Sequence, residues 1–402
     1  MNDIAKSGKR SHRRVRACED ISVLRLTLLL LVLALVAPAA DLEFRQHLID
    51  DDLAGGYQVR VADLNADGQP DVIGLSQRAD KLYWYENPSW QRRVIVSGMR
   101  QMITLDVADL DGDGAPEIAL GTHFGQTDET SEGRVYILTG SAASGAEWRA
   151  QEIDRLPTTH RVRFLDLDGD GEAELLNSPL TGPGCRGPLF DCHTPLVYYE
   201  PKDWKRRYVT TALDGVVHGM READWDGPTV LAASMGGVDR FRPDGAGGWV
   251  RLRLAEGSQS PRPRNGASEV RVGHLSDGRF VTTIEPWHGH QVVVYCCEGR
   301  GYFSRSVIDS TLVDGHVLNV ADFDGDGEDE ILAGVRGAPQ RLMVYRRNSE
   351  GWARQLVDDG GISAAGCDIA DIDGDGDLDF SCIGARTGNV KWYENVSGGA
   401  TP

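Results

Sequence analysis

The sequence predicts an all-β protein, a seven-bladed β-propeller, on three observations. An acidic nine-residue string recurs along the chain at blade-sized spacing. An aromatic residue followed by basic and β-branched residues recurs out of phase with it, also seven times. The two ends of the chain hold complementary fragments of one repeat.

The string reads DLNADGQPD from Asp63, DLDGDGAPE from Asp109, DLDGDGEAE from Asp166, DFDGDGEDE from Asp322 and DIDGDGDLD from Asp371. Two worn copies, starting at Asp224 and His274, fill the long gap. The seven starts lie 46, 57, 58, 50, 48 and 49 residues apart, a spacing that suits a four-stranded blade. The aromatic marker falls at Phe44, Trp90, Trp148, Trp204, Trp249, Tyr302 and Trp352. Short alternating runs such as KLYWYEN and NVKWYEN lie between the two markers and read as strands. Each unit is then strand a, acidic loop, strand b, turn, strand c, turn, strand d. The last unit runs out after strand c, whereas FRQHLID at 44–50 is a strand d with no blade before it. The N-terminal strand is therefore expected to close the last blade and remove an exposed sheet edge.

Residues 1–40 read as a signal peptide, with seven basic residues, the apolar run 26–36 and Ala37-Pro38-Ala39. That run is short for a membrane span, so the expected mature chain, a propeller over 41–398, is secreted or periplasmic and has no membrane span. It retains 35 basic and 58 acidic residues, a net charge of −23. Such a balance excludes nucleic-acid binding by phosphate neutralisation, and it repels polyanions unless basic residues cluster locally. Six mature cysteines in an exported chain make disulfides plausible. Cys185 and Cys192 are the best pair, inside the Pro/Gly-rich insertion 178–195. Cys296 and Cys297 read as two thiols. Cys367 and Cys382 fit either a cross-strand bond or two buried thiols.

The loop pattern D-x-[DN]-x-D-G-x-x-[DE] places oxygen ligands at positions one, three, five and nine and a carbonyl at seven, which can wrap a hard cation. About five calcium sites are expected. Their ligands are Asp63, Asn65, Asp67 and Asp71; Asp109, Asp111, Asp113 and Glu117; Asp166, Asp168, Asp170 and Glu174; Asp322, Asp324, Asp326 and Glu330; and Asp371, Asp373, Asp375 and Asp379. The plain alternative is a set of Asp/Gly hairpin turns. Its weakness is that five copies at blade spacing each close on an acid. The loops at 224 and 274 lack that acid and are expected to be empty. Loops and spacing together resemble the FG-GAP/VCBS propellers, among them the head of integrin alpha subunits. That resemblance covers the mature chain and implies fold and calcium, not activity, because the scaffold hosts adhesins and enzymes alike.

Antiparallel connectivity puts the acidic loops on one face of the disc and the b–c and d–a turns on the other. Seven of the nine mature histidines map to that second face. His160, His218 and His316 each stand six residues before an acidic loop, so pseudo-symmetry points them at one central funnel. TIEPWHGHQVVVY adds Glu285, Trp287, His288 and His290. The candidate catalytic set is His160, His218, Glu285, His288 and His316. The candidate ligand-binding set is His123, Arg163, Arg221, Arg271, Trp287 and His290. Arg163, Arg221 and Arg271 belong to a polar series three residues before each loop, and the insertion 178–195 is expected to wall the funnel. Clustered imidazoles can ligate one further divalent metal, move a proton next to a carbonyl or hydrogen-bond a sugar; they can also simply satisfy buried groups.

EPWHGHQVVVY, together with GHVLNVADFDGDGEDEILAG at 315–334, is similar to the propeller domain of aldos-2-ulose dehydratase. The similarity implies a metal-assisted site that removes water from a keto-sugar, carried most directly by His288 and His316. The cupin and lectin-like domains of that enzyme have no counterpart in these 402 residues. Two readings follow. One is a propeller that binds a carbohydrate-like molecule or cell-surface glycan, with lyase or dehydratase chemistry. The other is a non-catalytic adhesion or scaffold module.

Overall fold

Seven four-stranded antiparallel sheets follow one another along the chain in the computed structural model, which describes residues 42–397 apart from 142–145, 226 and 299–301. No helix occurs among them, and none is long and apolar enough to cross a membrane. Contacts divide the chain after Ala40, and the expected signal peptide lies outside the described residues. Blades 1 to 6 begin with strands Gly56–Ala62, Thr104–Ala108, Thr159–Leu165, Val217–Asp224, Glu269–Leu275 and Gly315–Ala321. The seventh sheet contains Ala364–Ala370, Asp379–Gly384, Val390–Asn395 and, at its edge, Phe44–Asp50. That first strand pairs antiparallel with the last, Phe44 opposite Asn395 and Leu48 opposite Lys391.

Burial follows position in the blade. The second strands, such as Asp71–Ser76 and Glu330–Val335, are buried at every residue because they are covered on both faces. The fourth strands are mostly exposed. Apolar clusters form between neighbouring blades. Ile118 and Leu120 of blade 2 pack with Ile73 and Leu75 of blade 1, and Ile383 and Val390 of blade 7 pack with Val59 and Val72 of blade 1.

A polar clasp repeats at these junctions. The buried tyrosines Tyr85, Tyr199, Tyr345 and Tyr393 donate from their third strands to Asp50, Asp154, Asp309 and Asp358 of the preceding blade, at 2.6–2.8 Å. Where the fourth strand carries Leu213 instead, the next blade has Phe241, which needs no acceptor. Blade 4 ends in Ala255, yet blade 5 keeps Tyr295. Its hydroxyl is accepted by Glu285 at 2.6 Å.

Two disulfides form, Cys185–Cys192 and Cys367–Cys382. The second resolves the alternative left open by the sequence, because the two residues stand directly opposite on paired strands. The side chain of Cys297 lies outside the described set.

Candidate functional site

The five acidic loops share one construction. The first aspartate of each accepts the N–H of the glycine at position six, from Gly68, Gly114, Gly171, Gly327 and Gly376, at 2.8–3.1 Å. Those glycines have φ between +84° and +98°, a bend that favours glycine. The closing acid accepts the N–H of position two, as Asp71 does from Leu64 and Glu330 from Phe323. In four loops the acids at positions one, three and nine offer oxygens within 4.8 Å of one another. In the loop at 63, the amide of Asn65 replaces the third-position acid and donates to Asp67. Burial pushes Asp71, Glu174 and Asp379 up to about 7 and Glu330 to about 8, and neighbouring aspartates push the same way. A divalent cation would relieve that repulsion. The two worn copies are tight hairpins, with Asp224 opposite Pro228 and Leu275 opposite Gly278.

On the opposite face the structure brings four imidazoles together. Ring centroids lie 4.8 Å apart for His160–His218 and His218–His288, 5.0 Å for His218–His316 and 5.2 Å for His288–His316. His160, His218 and His316 enter from the first strands of blades 3, 4 and 6, and His288 from the turn after the second strand of blade 5. Three are buried, and His288 is half-buried. Burial depresses all four, with nearby guanidinium groups adding to it; His218 falls to about 4. They are neutral imidazoles at neutral pH.

Their hydrogen bonds orient the lone pairs. His316 donates from Nδ1 to Ala365 O at 2.6 Å, which leaves its buried Nε2 bare and without a partner. His218 donates from Nδ1 to Glu269 Oε1 at 2.8 Å, so its Nε2 lone pair faces His288 Nε2 at 3.1 Å. Gly219 permits this approach: a Cβ there would lie 2.6 Å from Ser268 O. His288 Nδ1 accepts from Arg336 at 2.9 Å, with Asp314 Oδ1 at 3.3 Å. Moving its proton to Nδ1, toward Asp314, would free the third Nε2. The ligand atoms of His218, His288 and His316 lie within 4.8 Å of one another. Such a three-imidazole set, with Glu269, Asp314 and the Ala365 carbonyl within reach of the three Nδ1 atoms, suits a divalent metal with an open position.

His160 differs from the other three. Its Nε2 accepts from Arg161 at 3.2 Å and lies 2.8 Å from the Tyr57 hydroxyl. The proton is then on Nδ1, which is buried and unpartnered. Trp287 Nε1 is also buried and unpartnered. An apolar wall adjoins them. Phe124, Phe190 and Trp287 pack on Leu180, Val216 and Met235, with Phe190 supplied by the disulfide-bonded insertion.

Other sequence candidates are not brought to this point. Glu285 is fully buried but faces outward within blade 5, accepting from Tyr295, Thr283 and Arg305. It replaces the carboxylate missing at Ala255, which is why a catalytic role read from its neighbours in sequence does not fit its position. His290 is exposed, and the His123 ring is bonded to Thr122. Arg163, Arg221 and Arg271 lie deeper, three residues further along their strands than the histidine ring, roughly 10 Å at the usual strand rise. The sequence reading missed Tyr57 and Ser268, although both stand six residues before a loop like the three histidines. It also missed Glu269, Arg336 and Asp314, which carry no positional signature.

Residues 51–120 and 322–382 match the FG-GAP-like repeat, and residues 103–138 match the FG-GAP repeat. The seven-bladed propeller thus carries FG-GAP-like repeats in these segments. Residues 132–298 of this propeller match the β-propeller domain of aldos-2-ulose dehydratase, a stretch that includes His160, His218 and His288. Over 375 residues it is 25% identical to aldos-2-ulose dehydratase of Phanerodontia chrysosporium, covering 80% of this chain and 40% of that protein. The chain thus spans well under half the length of that relative. Among solved structures, an auxiliary nutrient binding protein from Bacteroides ovatus aligns at a TM-score of 0.48 and 10% identity, over 89% of this chain and 74% of the other. That likeness is too distant to bear on function.

Proposed function

We propose that this propeller is an exported carbohydrate-binding enzyme of the lyase or dehydratase type, with a divalent metal held by Nε2 of His218, His288 and His316. One observation carries the reading: the bare lone pair of His316 Nε2 and the unpartnered N–H groups of His160 and Trp287 are buried beside the same cluster of imidazoles. Buried polar groups without partners are costly, so this arrangement suits a ligand. The similarity to aldos-2-ulose dehydratase supports a keto-sugar as the ligand class. When bound, the metal would polarise a carbonyl or hydroxyl oxygen. His160 would donate from Nδ1 to a second sugar oxygen, and the Trp287 and Phe190 rings would offer an apolar platform. In the same reading the five acidic loops bind calcium and stiffen the blades.

The test is metal analysis of the purified mature chain, followed by incubation with a panel of keto-sugars. Loss of water gives an enone that absorbs in the near ultraviolet. Metal-dependent enone formation, abolished by His316→Ala with little change in Tm, is the expected outcome. A funnel that takes up no metal, with no turnover and no sugar-induced rise in Tm, would leave the non-catalytic module as the better reading.

A further inference from the structure

Beneath the histidines, the first strands carry a second ring, three residues before each loop: Arg60, Asp106, Arg163, Arg221, Arg271, Asn319 and Asp368. Charges alternate over part of it. Arg60 bridges Asp106 and Asp368, at 2.8 Å to each. Alternation then fails, because blades 3, 4 and 5 present Arg163, Arg221 and Arg271 in succession. Arg271 turns to Asn319 Oδ1 at 2.9 Å and keeps Glu269 at 3.6 Å. Arg163 is 4% exposed and reaches only backbone carbonyls, those of Val162 and Leu105, and its Nε has no partner. Among the described residues Arg221 bonds no carboxylate; Glu269 and the exposed Glu222 act on it only at a distance. The ring thus holds four guanidinium groups against two carboxylates.

Guanidinium groups do not shed their charge in proteins. Burial, followed by the neighbouring arginines, works against the charge on both Arg163 and Arg221. For Arg60, Asp106 and Asp368 more than offset the same burial. A cavity of about 40 Å³ lies among these side chains, lined by Arg60, Arg161, Arg163, Arg221 and Arg271, with one carboxylate, Glu269, and with His316 at its upper edge. One water needs about 10–15 Å³ on this measure, so the space holds about three water-sized bodies. It is far below the roughly 300 Å³ or more of pockets for organic ligands.

We propose that the central channel binds a small monoanion, a halide or a compact oxyanion such as formate or nitrate, between Arg163, Arg221 and Arg271. The anion completes the charge alternation that the sequence interrupts at blades 3 to 5. It locks those three blades together below the histidine face.

The experiment measures Tm of the mature protein at constant ionic strength while gluconate, too large for the cavity, is replaced by chloride, bromide, formate or nitrate. A saturable rise of several degrees is expected, and the rank order separates halides from oxyanions. Arg221→Met should flatten that dependence. Crystals soaked in bromide should show an anomalous peak among the three guanidinium groups. Identical melting in all the salts, with no bromide peak in the wild-type channel, would overturn the proposal even if the variant failed to fold.

Discussion

The two faces of the disc solve opposite problems with the same strands. On one face five loops repeat a single arrangement, down to the bond from the sixth-position glycine to the first aspartate. On the other, four blades each contribute one imidazole, and every imidazole has a different partner: Tyr57 and Arg161, Glu269, Arg336, or a backbone carbonyl. Repetition marks what each blade needs in order to stand. Broken symmetry marks what the molecule builds once, and that is where a ligand site is to be sought.

Removing cations should expose the contrast most strongly. An ion held a hundredfold above its Kd stabilises by about 2.7 kcal/mol per site, so emptying five loops approaches the roughly 5–15 kcal/mol of a whole domain. Chelation should therefore lower Tm steeply. A melting curve unchanged in excess chelator would remove calcium from the account and leave the loops as hydrogen-bonded turns.

Next in size is Glu285→Ala. Removing the buried carboxylate strands the Tyr295 hydroxyl and the half-exposed Arg305, at a cost of about 2–3 kcal/mol once solvent screening of Arg305 is allowed for. Denaturant unfolding should register that loss while metal binding in the funnel is unchanged. Metal loss without a stability cost would return Glu285 to the site.

Glu269→Gln probes the other face. It weakens the acceptor that orients His218, and outer partners of this kind are worth about 10–100-fold in metal affinity. Titration with zinc or manganese should show that loss, whereas Asp224→Ala should alter neither metal content nor Tm appreciably.

The smallest effect concerns the clasps. Burial acts to raise Asp154, but Arg206 and Tyr199 outweigh it and hold the carboxyl below its ordinary value. A depressed folded pKa stabilises above the unfolded value, about 3.9, and that contribution fades as pH falls through the folded pKa. The gap in Tm between wild type and Asp154→Asn should therefore be constant near neutrality and narrow below about pH 4. A gap that widened on acidification would show that the carboxylate is not the stabilising form.

Periodicity made most of the fold legible. Seven loops, seven aromatic markers and the alternating runs define the blades, since a repeat must present the same residue type wherever the same contact recurs. The rule placing a residue six positions before each loop also brought His160, His218 and His316 to one point, as the ring geometry requires. What the sequence could not rank was direction within a blade. Glu285 and His288 are three residues apart, yet one ties together three strands of its own blade and the other faces the funnel. The choice turns on Ala255, thirty residues earlier, where an acceptor for Tyr295 is missing. Glu269, Asp314 and Arg336 became partners of the histidines only when blades 4, 5 and 6 packed side by side. Local pattern determines which strand a residue belongs to and how deep it lies; which neighbour satisfies its charge is decided by the closed ring, because that neighbour comes from another blade.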